Sequence, residues 1–292
     1  MKKHRTILAL CLSLFVAFVL RAEDRFFDSD GIRIHYTIEG EGEPLILIHG
    51  FSASAERNWA PVRKALIQDH QVIALDNRGH GQSDKPHDAA AYGLKMVEDI
   101  VRLMDHLGIK KAHVAGYSMG GFITTKLLTT HPDRLISATL GGAGWMRAGD
   151  NRDVLEATAK SLAEGKGIAP LMEFLTPRGR PAPTPEAIEA TNKMVLALND
   201  PLALAAVARG MLELAVPEAA LKENRVPTLA LIGEIDPLKE GVDRLAGAMA
   251  NLRVQVIEGA DHMTAFLRPE FATELKGFLG AHSAHKAAAG AR

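Results

Sequence analysis

The chain has 292 residues, of which 47% are hydrophobic and 24% charged, and its formal net charge is −1. These values are typical of a globular protein with a substantial buried core, organised as one large domain or two small ones. A net charge near zero gives no reason to expect a nucleic acid or an anionic membrane as a partner, so binding specificity must come from a local site.

The first 22 residues differ in character from the rest of the chain. Basic residues precede an apolar run over 7–20, which is shorter than the roughly 20 residues of a spanning helix and typical of a signal peptide. We predict a signal peptide over 1–22 with cleavage after Ala22, and a periplasmic or secreted protein without stable membrane insertion. An uncleaved N-terminal anchor is the alternative. The only cysteine, Cys11, lies in this segment, so the mature chain would have neither a disulfide nor a thiol nucleophile.

Beyond this leader, segments typical of strands and helices alternate. Apolar and polar residues alternate over 32–38, which predicts a half-buried strand, whereas the continuous apolar run 45–48 predicts a strand covered on both faces. Repetition of strand and helix predicts an α/β fold with a mostly parallel central sheet flanked by helices. Further strands are predicted at 72–75, 113–117, 136–140, 228–232 and 254–257, and helices at 59–67, 96–107 and 119–130.

The alternation is interrupted once. From 142 to 225 the chain is helical in pattern and rich in Pro, Ala and Leu, which predicts a helical lid inserted after the sixth strand. The predicted core is then 23–141 together with 226–280, and the Ala- and His-rich residues 281–292 form a flexible tail.

The strongest chemical signal is the run Gly116-Tyr117-Ser118-Met119-Gly120, between a predicted strand and a predicted helix. A serine on such a strand–turn–helix bend is exposed above the sheet as a nucleophile, and glycines two residues to either side avoid a clash of Cβ atoms. The helix start also favours negative charge near Ser118. The alternative is a glycine-rich turn with an incidental serine.

A serine nucleophile needs a base, and the base needs an orienting acid; on this type of fold they follow in the order acid, then histidine. Asp236 follows the strand predicted at 228–232, and His262 follows the strand predicted at 254–257. Both lie where parallel strands end at their carboxyl edge, which is where such sheets place their sites. We predict His262 as the base and Asp236 as the acid, with Glu234 and Asp261 as the rival acids.

Three segments, together with those bearing Asp236 and His262, resemble the α/β-hydrolase superfamily over about residues 26–280. They are 47–51 (LIHGF), 75–84 (LDNRGHGQSD) and 116–121 (GYSMGG). The resemblance implies that the backbone N–H groups of Phe51 and Met119 form an oxyanion hole. It also implies that 76–84 is a structural loop outside the site.

Within the superfamily, Ser118 argues against the dehalogenases and epoxide hydrolases, which use an aspartate nucleophile. Epoxide hydrolases also resemble one another in having lid tyrosines, whereas the three tyrosines here are Tyr36, Tyr92 and Tyr117, all outside the predicted lid. Cofactor-free perhydrolases share the Ser-Asp-His pattern and stay open as an alternative.

The residues together predict hydrolysis of a small-molecule carboxylic ester through an acyl-enzyme, a reaction that requires no metal and no organic cofactor. Hydrolysis of a carbon–carbon bond in a dienoic keto-acid is the enzymatic alternative, and a hydrolase-fold ligand receptor is the non-enzymatic one. Trp145, just beyond a predicted strand, is a candidate for the substrate pocket. Arg147, Arg152 and Arg178 are interpreted as solvated surface.

Overall fold

The computed structural model describes residues 23–283, in which eight strands form a single sheet with the order β1-β2-β4-β3-β5-β6-β7-β8. From β3 to β8 the strands are parallel, while β2 pairs antiparallel with β1 and β4. The predicted signal peptide and most of the predicted tail lie outside the described residues. The strands are β1 (Glu23–Ser29), β2 (Ile32–Glu39), β3 (Glu43–Ile48), β4 (His70–Leu75), β5 (Ala112–Tyr117), β6 (Leu135–Gly141), β7 (Thr228–Gly233) and β8 (Leu252–Ile257).

Helices connect the parallel strands and cover both faces of the sheet, so the predicted α/β fold is confirmed. The helices are α1 (Ala55–Leu66), α2 (Leu94–His106), α3 (Met119–Thr130), α4 (Arg152–Ala163), α5 (Ala169–Phe174), α6 (Pro185–Leu198), α7 (Pro201–Gly210), α8 (Glu218–Glu223), α9 (Lys239–Ala248) and α10 (Pro269–Ala281).

The strand β3 shows why the central strands read as continuous apolar runs. Leu45 and Leu47 pack on one face of the sheet with residues of α1 and α10, whereas Ile46 and Ile48 pack on the other face with α2 and α3. All four side chains are fully buried. Because successive side chains of a strand point to opposite faces, a strand covered on both sides has no position left for a polar residue.

The segment predicted as a lid contains α4 to α8, between β6 and β7. Helices α4 to α7 share a small apolar core, in which α4 packs against α7 and which includes Leu162, Val195 and Leu204, whereas Leu221 of α8 packs in the main core. Thr184 caps α6 through its side chain, with Pro185 at the first helical position. The helices therefore form a packed layer above the carboxyl edge of the sheet.

Within residues 23–283, no single helix is long and apolar enough to cross a membrane. Only the segments Pro185–Leu198 and Pro201–Leu214 taken together, as a pair bent by 99°, have the required length and composition.

Strand β1 has no counterpart in the sequence prediction. Its sequence, EDRFFDS, is largely charged and lacks the period-2 pattern that identifies β2. The strand forms because its backbone pairs with β2 along its whole length, while Phe27 is buried in the core below. Pairing with a neighbouring strand therefore decides the conformation of this edge segment.

Candidate active site

Ser118 lies in the tight turn between β5 and α3, with φ 53° and ψ −116°. This is a strained conformation for a residue with a side chain, and such strain clusters at functional sites. A Cβ added at Gly116 would lie 2.0 Å from the Gly120 carbonyl oxygen, and one at Gly120 would lie 2.0 Å from the Ile48 oxygen. Only glycine at both positions lets the backbone approach closely enough to hold Ser118 in this turn.

The structure brings Ser118, His262 and Asp236 together although they are far apart in sequence. His262 Nε2 lies 3.0 Å from Ser118 Oγ, and His262 Nδ1 lies 2.9 Å from Asp236 Oδ2. The histidine and the aspartate are both buried. The other carboxylate oxygen, Asp236 Oδ1, accepts a hydrogen bond of 2.8 Å from the Leu238 amide. Because Asp236 carries no proton to donate when ionised, it holds the Nδ1–H tautomer of His262 and leaves Nε2 free to accept from the serine.

The two rival acids are engaged elsewhere. Glu234 accepts a hydrogen bond of 2.8 Å from the Gly259 amide. Asp261 accepts from the Met263 and Thr264 amides in its own turn. Of the three carboxylates, therefore, only Asp236 is hydrogen-bonded to the His262 ring.

The loop that follows β3 lies directly beside Ser118. A Cβ added at Gly50 would lie 3.3 Å from Ser118 Cβ, so this loop and the serine turn are nearly in contact. Met119 is the first residue of α3, and its N–H has no acceptor within the helix. The Phe51 N–H has no hydrogen-bond acceptor among residues 23–283 either. Two unpaired amides thus belong to the segments that meet at Ser118, as an oxyanion hole requires.

Buried polar side chains hold this loop in place. The Gly50 amide donates to Asn58 Oδ1 at 2.8 Å, and the Ser52 amide donates to His80 Nε2 at 3.2 Å. His49 Nε2 accepts from the Asn77 amide at 2.9 Å. Residues of the loop 76–84 therefore support the loop after β3 from behind, and none of them lines the cavity at Ser118, as expected of a structural loop.

His49 and His80, which hold the loop after β3 in place, are both in their neutral forms. Burial lowers the pKa of His49, and burial lowers the pKa of His80 to about 3. Each Nε2 accepts from a backbone N–H, which is possible only while that nitrogen carries no proton. Burial opposes ionisation of Asp76, but its hydrogen bonds from His35 and from the Gln82 and Ala55 amides hold its pKa well below the usual range.

These shifts predict that the protein loses stability in acid. When the pKa of a histidine is lower in the folded protein than in the unfolded chain, the unfolded chain binds the proton at the higher pH. His49 and His80 therefore contribute fully to the stability of the folded protein above about pH 6.5, the pKa of an unfolded histidine, and progressively less below it. Asp76 adds a further loss below about pH 4. His35, whose pKa is raised by Asp76 and Asp24 in spite of burial, acts in the opposite sense and loses its contribution as the pH rises. We expect His80 to make the unfolding free energy fall by about 1.4 kcal/mol per pH unit between pH 6 and 4.5, and His49 to add a fall in the same direction.

Urea unfolding at pH 7, 6, 5.5 and 4.5 measures this slope. The variant His80→Gln, which keeps an acceptor for Ser52, should show a shallower dependence on pH than the wild type. The matched control is His87→Gln, because His87 is half-exposed and pairs with Asp200 at the surface. Equal slopes in the wild type and in His80→Gln would contradict the assignment of His80 as neutral and buried.

A cavity of about 440 Å³ opens above Ser118, between the carboxyl edge of the sheet and the inserted helices. Its wall is mainly apolar, with Arg57 as the one Lys or Arg among the described lining residues. Such a cavity accommodates a small organic molecule. The lining residues are Gly50, Phe51, Ser52, Ala53, Arg57, Asn58, Tyr117, Ser118, Ile168, Leu171, Met172, Leu175, Thr176, Pro177, Pro183, Thr191, Asp261, His262, Met263 and Phe266.

Trp145, the predicted pocket residue, does not line this cavity, so that prediction is wrong. Its indole N–H donates to the Val216 carbonyl at 2.8 Å, and the residue lines a separate polar cleft beside Arg244. Of the arginines interpreted as surface, Arg147 pairs with Asp150 and Arg178 is almost fully exposed. None of these side chains reaches Ser118.

Within the described part of the chain, no three His, Cys, Asp or Glu residues are grouped so that they could hold a metal ion. The polar groups at Ser118 instead form one hydrogen-bonded chain, serine to histidine to aspartate. Such a chain activates a hydroxyl by proton transfer.

Sequence reasoning missed the residues that support and shape the site. Asn58 lies on α1 with no motif around it, and His80 lies in a loop that the sequence identifies only as structural. Leu171 and Met172, on α5, line the cavity although their pattern is also that of an ordinary amphipathic helix. No local signal distinguishes such residues from core residues.

The family model described as alpha/beta hydrolase fold matches residues 43–180, a range that includes the loop after β3 and Ser118. The chain has this fold, and the match supports its assignment to the α/β-hydrolase superfamily.

Individual relatives are similar over parts of the chain. The dihydrolipoyllysine-residue acetyltransferase component of the acetoin cleaving system of Cupriavidus necator is 40% identical over 117 residues, which are 40% of this chain and 31% of that protein. The (E)-2-((N-methylformamido)methylene)succinate hydrolase of Acinetobacter baylyi is 34% identical over 131 residues, 45% of this chain and 49% of that protein. The matches thus span about a third to a half of the length of these relatives. A thermophilic esterase from Thermogutta terrifontis superimposes with a TM-score of 0.72 at 25% identity, over 90% of this chain and 99% of that one.

Proposed function

We propose that the protein is a serine hydrolase that cleaves a small carboxylic ester through a covalent acyl-enzyme. The observation that carries the proposal is the continuous hydrogen-bond chain from Ser118 Oγ to His262 Nε2 at 3.0 Å and from His262 Nδ1 to Asp236 Oδ2 at 2.9 Å. This chain ends at the floor of an apolar cavity large enough for a small molecule.

In the first half of the reaction, Ser118 Oγ attacks the ester carbonyl carbon while His262 Nε2 takes the hydroxyl proton. The carbonyl oxygen gains the electron pair and is bound by the N–H groups of Phe51 and Met119. The carbon–oxygen bond of the leaving group then breaks, and its oxygen takes the proton from His262. Asp236 stabilises the imidazolium during both transfers without itself becoming protonated.

In the second half, His262 removes a proton from a water molecule that attacks the acyl-enzyme carbonyl. The second tetrahedral intermediate collapses, Ser118 Oγ regains its proton from His262, and the carboxylic acid departs. Every proton that moves in this scheme passes through His262 Nε2, and the scheme itself requires no metal or organic cofactor.

The similar proteins include hydrolases that act on different substrates, so the comparisons support hydrolase activity in general and not one particular substrate. A structure of the same fold is named as an esterase and a partial relative as a succinate-derivative hydrolase. An ester is proposed because its cleavage needs only a nucleophile, a base and an oxyanion hole, all of which the residues at Ser118 can provide.

A panel of p-nitrophenyl esters from acetate to octanoate tests the proposal, with release of p-nitrophenolate as the readout. We expect kcat/KM for at least one ester to lie in the range of ordinary enzymes, on the order of 10⁴ M⁻¹s⁻¹ or more. A dienoic keto-acid and a peracid-forming assay should be included in the same series. Negligible ester turnover with cleavage of the keto-acid would favour a carbon–carbon hydrolase, and peracid formation a perhydrolase. Binding without any turnover would favour a receptor.

A further inference from the structure

The hydroxyl of Tyr117 connects the strand that precedes the serine to the loop that carries the histidine. Tyr117 is the last residue of β5, directly before Ser118, and its Oη donates a hydrogen bond of 2.5 Å to the backbone carbonyl of His262. In the sheet, β6 and β7 lie between β5 and β8, so no strand ladder joins these two segments. Among the described residues, the only hydrogen bonds between 112–118 and 258–268 are this one and the bond between Ser118 and His262.

The ring of Tyr117 is held on several sides. Tyr117 is 4% exposed, and its ring centroid lies 5.0 Å from that of Phe266 and 5.9 Å from that of Phe271. At the end of β6 the backbone passes so close that a Cβ added at Gly142 would lie 2.9 Å from Tyr117 Cζ. The position of the hydroxyl is therefore fixed by packing of the ring, independently of the hydrogen bond that the hydroxyl makes.

The Tyr117 hydroxyl keeps its proton. Burial, together with the charges of Asp236 and Asp261, raises the pKa of Tyr117 well above its usual range. A carbonyl oxygen can only accept a hydrogen bond, so the bond to His262 requires the protonated hydroxyl. The bond is consequently present at every pH at which His262 can act as a base.

The carbonyl of His262 depends on this single donor. No other described residue donates to it, and His262 is 3% exposed. The preceding part of the loop is tied separately, since the Ile235 amide donates to the Ala260 carbonyl at 3.1 Å. Without the Tyr117 hydroxyl a buried carbonyl would be left unpaired, which is costly, so we expect the backbone at His262 to shift toward water.

Such a shift matters because His262 has two oxygens to reach. Its Nε2 takes a proton from Ser118 Oγ and then gives that proton to the oxygen of the leaving group. The first oxygen is already its hydrogen-bond partner, at 3.0 Å. The leaving oxygen has no such bond to the protein and depends on the placement of the ring. A displacement of about 1 Å in a catalytic group can lower the rate about 100-fold.

We propose that Tyr117 is a positioning residue for the general base, whose hydroxyl holds the backbone of His262 so that Nε2 reaches both Ser118 and the oxygen of the leaving group. The inference rests on the proposed function, because the effect of Tyr117 on ester cleavage passes through His262. Tyr117 itself gives up no proton and forms no bond to the substrate.

The test compares two esters of one acid, p-nitrophenyl butanoate and ethyl butanoate, in the wild type and in Tyr117→Phe. Both esters form the same butanoyl-enzyme, so kcat/KM reports acylation in each case. A p-nitrophenolate ion leaves without protonation, whereas an alkoxide must receive the proton from His262. We expect Tyr117→Phe to lower kcat/KM about tenfold for the p-nitrophenyl ester and about 100-fold for the ethyl ester. Loss of folded enzyme alone would lower both values by the same factor.

Tyr92→Phe is the matched control. Tyr92 is also fully buried, and its hydroxyl donates a hydrogen bond of 2.5 Å to the Pro86 carbonyl, but it does not line the cavity above Ser118. Each phenylalanine variant loses one buried hydrogen bond, so both should unfold a few degrees below the wild type. Only the variant at position 117 should change the ratio of the two esters. Incorporation of p-aminophenylalanine at position 117 retains an N–H donor and should restore the wild-type ratio.

The results that would overturn the inference differ from those that would overturn the proposed function. Unchanged rates in Tyr117→Phe, or rates lowered equally for both esters, would reject the positioning role while ester hydrolysis by the wild type stands. If a fluorophosphonate labels the wild type but no ester is cleaved, the labelling rate replaces kcat/KM; it should be about tenfold lower in Tyr117→Phe, and an equal rate would reject the role. If the wild type is not labelled and cleaves no ester, the proposed function fails, and this inference fails with it.

Discussion

Replacing Ser118 with alanine is expected to lower kcat for ester hydrolysis by on the order of 10⁵–10⁶-fold and to abolish covalent labelling by a fluorophosphonate. The reason is that Ser118 Oγ is the one hydroxyl hydrogen-bonded to His262 Nε2 among the described residues, at 3.0 Å. Without this oxygen no acyl-enzyme can form. Residual hydrolysis would then come only from substrate binding and the oxyanion hole.

Intact-protein mass spectrometry after fluorophosphonate treatment measures the label directly. Ser52→Ala is the matched control, because Ser52 lines the same cavity but its hydroxyl is not hydrogen-bonded to a histidine among the described residues. The wild type and Ser52→Ala should each gain one adduct, and Ser118→Ala none. An adduct on Ser118→Ala, or none on the wild type, would show that Ser118 is not the activated nucleophile.

Replacing Asp236 with asparagine should lower kcat by about 10⁴-fold, which is the effect of the corresponding change in a well-studied triad. An asparagine side chain can donate its amide N–H to His262 Nδ1, which then becomes an acceptor. The ring proton moves to Nε2, and His262 can no longer accept the proton of Ser118. KM should change far less than kcat, because Asp236 is not among the residues that line the cavity at Ser118.

Glu234→Gln provides the control for this experiment. Glu234 lies two residues earlier on the same loop, and its glutamine variant keeps an oxygen for the Gly259 amide. We expect its kcat to stay within a few-fold of the wild type, and both variants should retain the wild-type circular dichroism spectrum. A loss of several orders of magnitude in Glu234→Gln, with near-normal activity in Asp236→Asn, would reverse the assignment of the acid.

Predictions from sequence were most accurate where a local pattern has one physical cause. Runs such as 45–48 are apolar at every position because both faces of a central strand are covered, so the strands and the superfamily followed from the sequence and are confirmed. The sequence also places Ser118 in a tight turn, because that turn requires glycine at positions 116 and 120. The antiparallel strand β1 was missed because its conformation depends on pairing with β2 rather than on its own composition.

Predictions were least accurate where side-chain direction matters. The position of Trp145 after a strand predicts that it lines the pocket, but its indole N–H is bonded to Val216 and the residue lines another cleft. The direction of a side chain depends on neighbours that are distant in sequence.

The sequence by itself determined the order of strands and helices, the candidate nucleophile Ser118 and the short set of acids and bases that could serve it. These follow from local constraints on backbone conformation and burial, which act within a few residues. Only the tertiary structure decided that Asp236 rather than Glu234 is hydrogen-bonded to His262, that buried histidines support the loop after β3, and that a cavity opens above Ser118. Those features depend on distances between segments that meet only after the sheet and the inserted helices have packed.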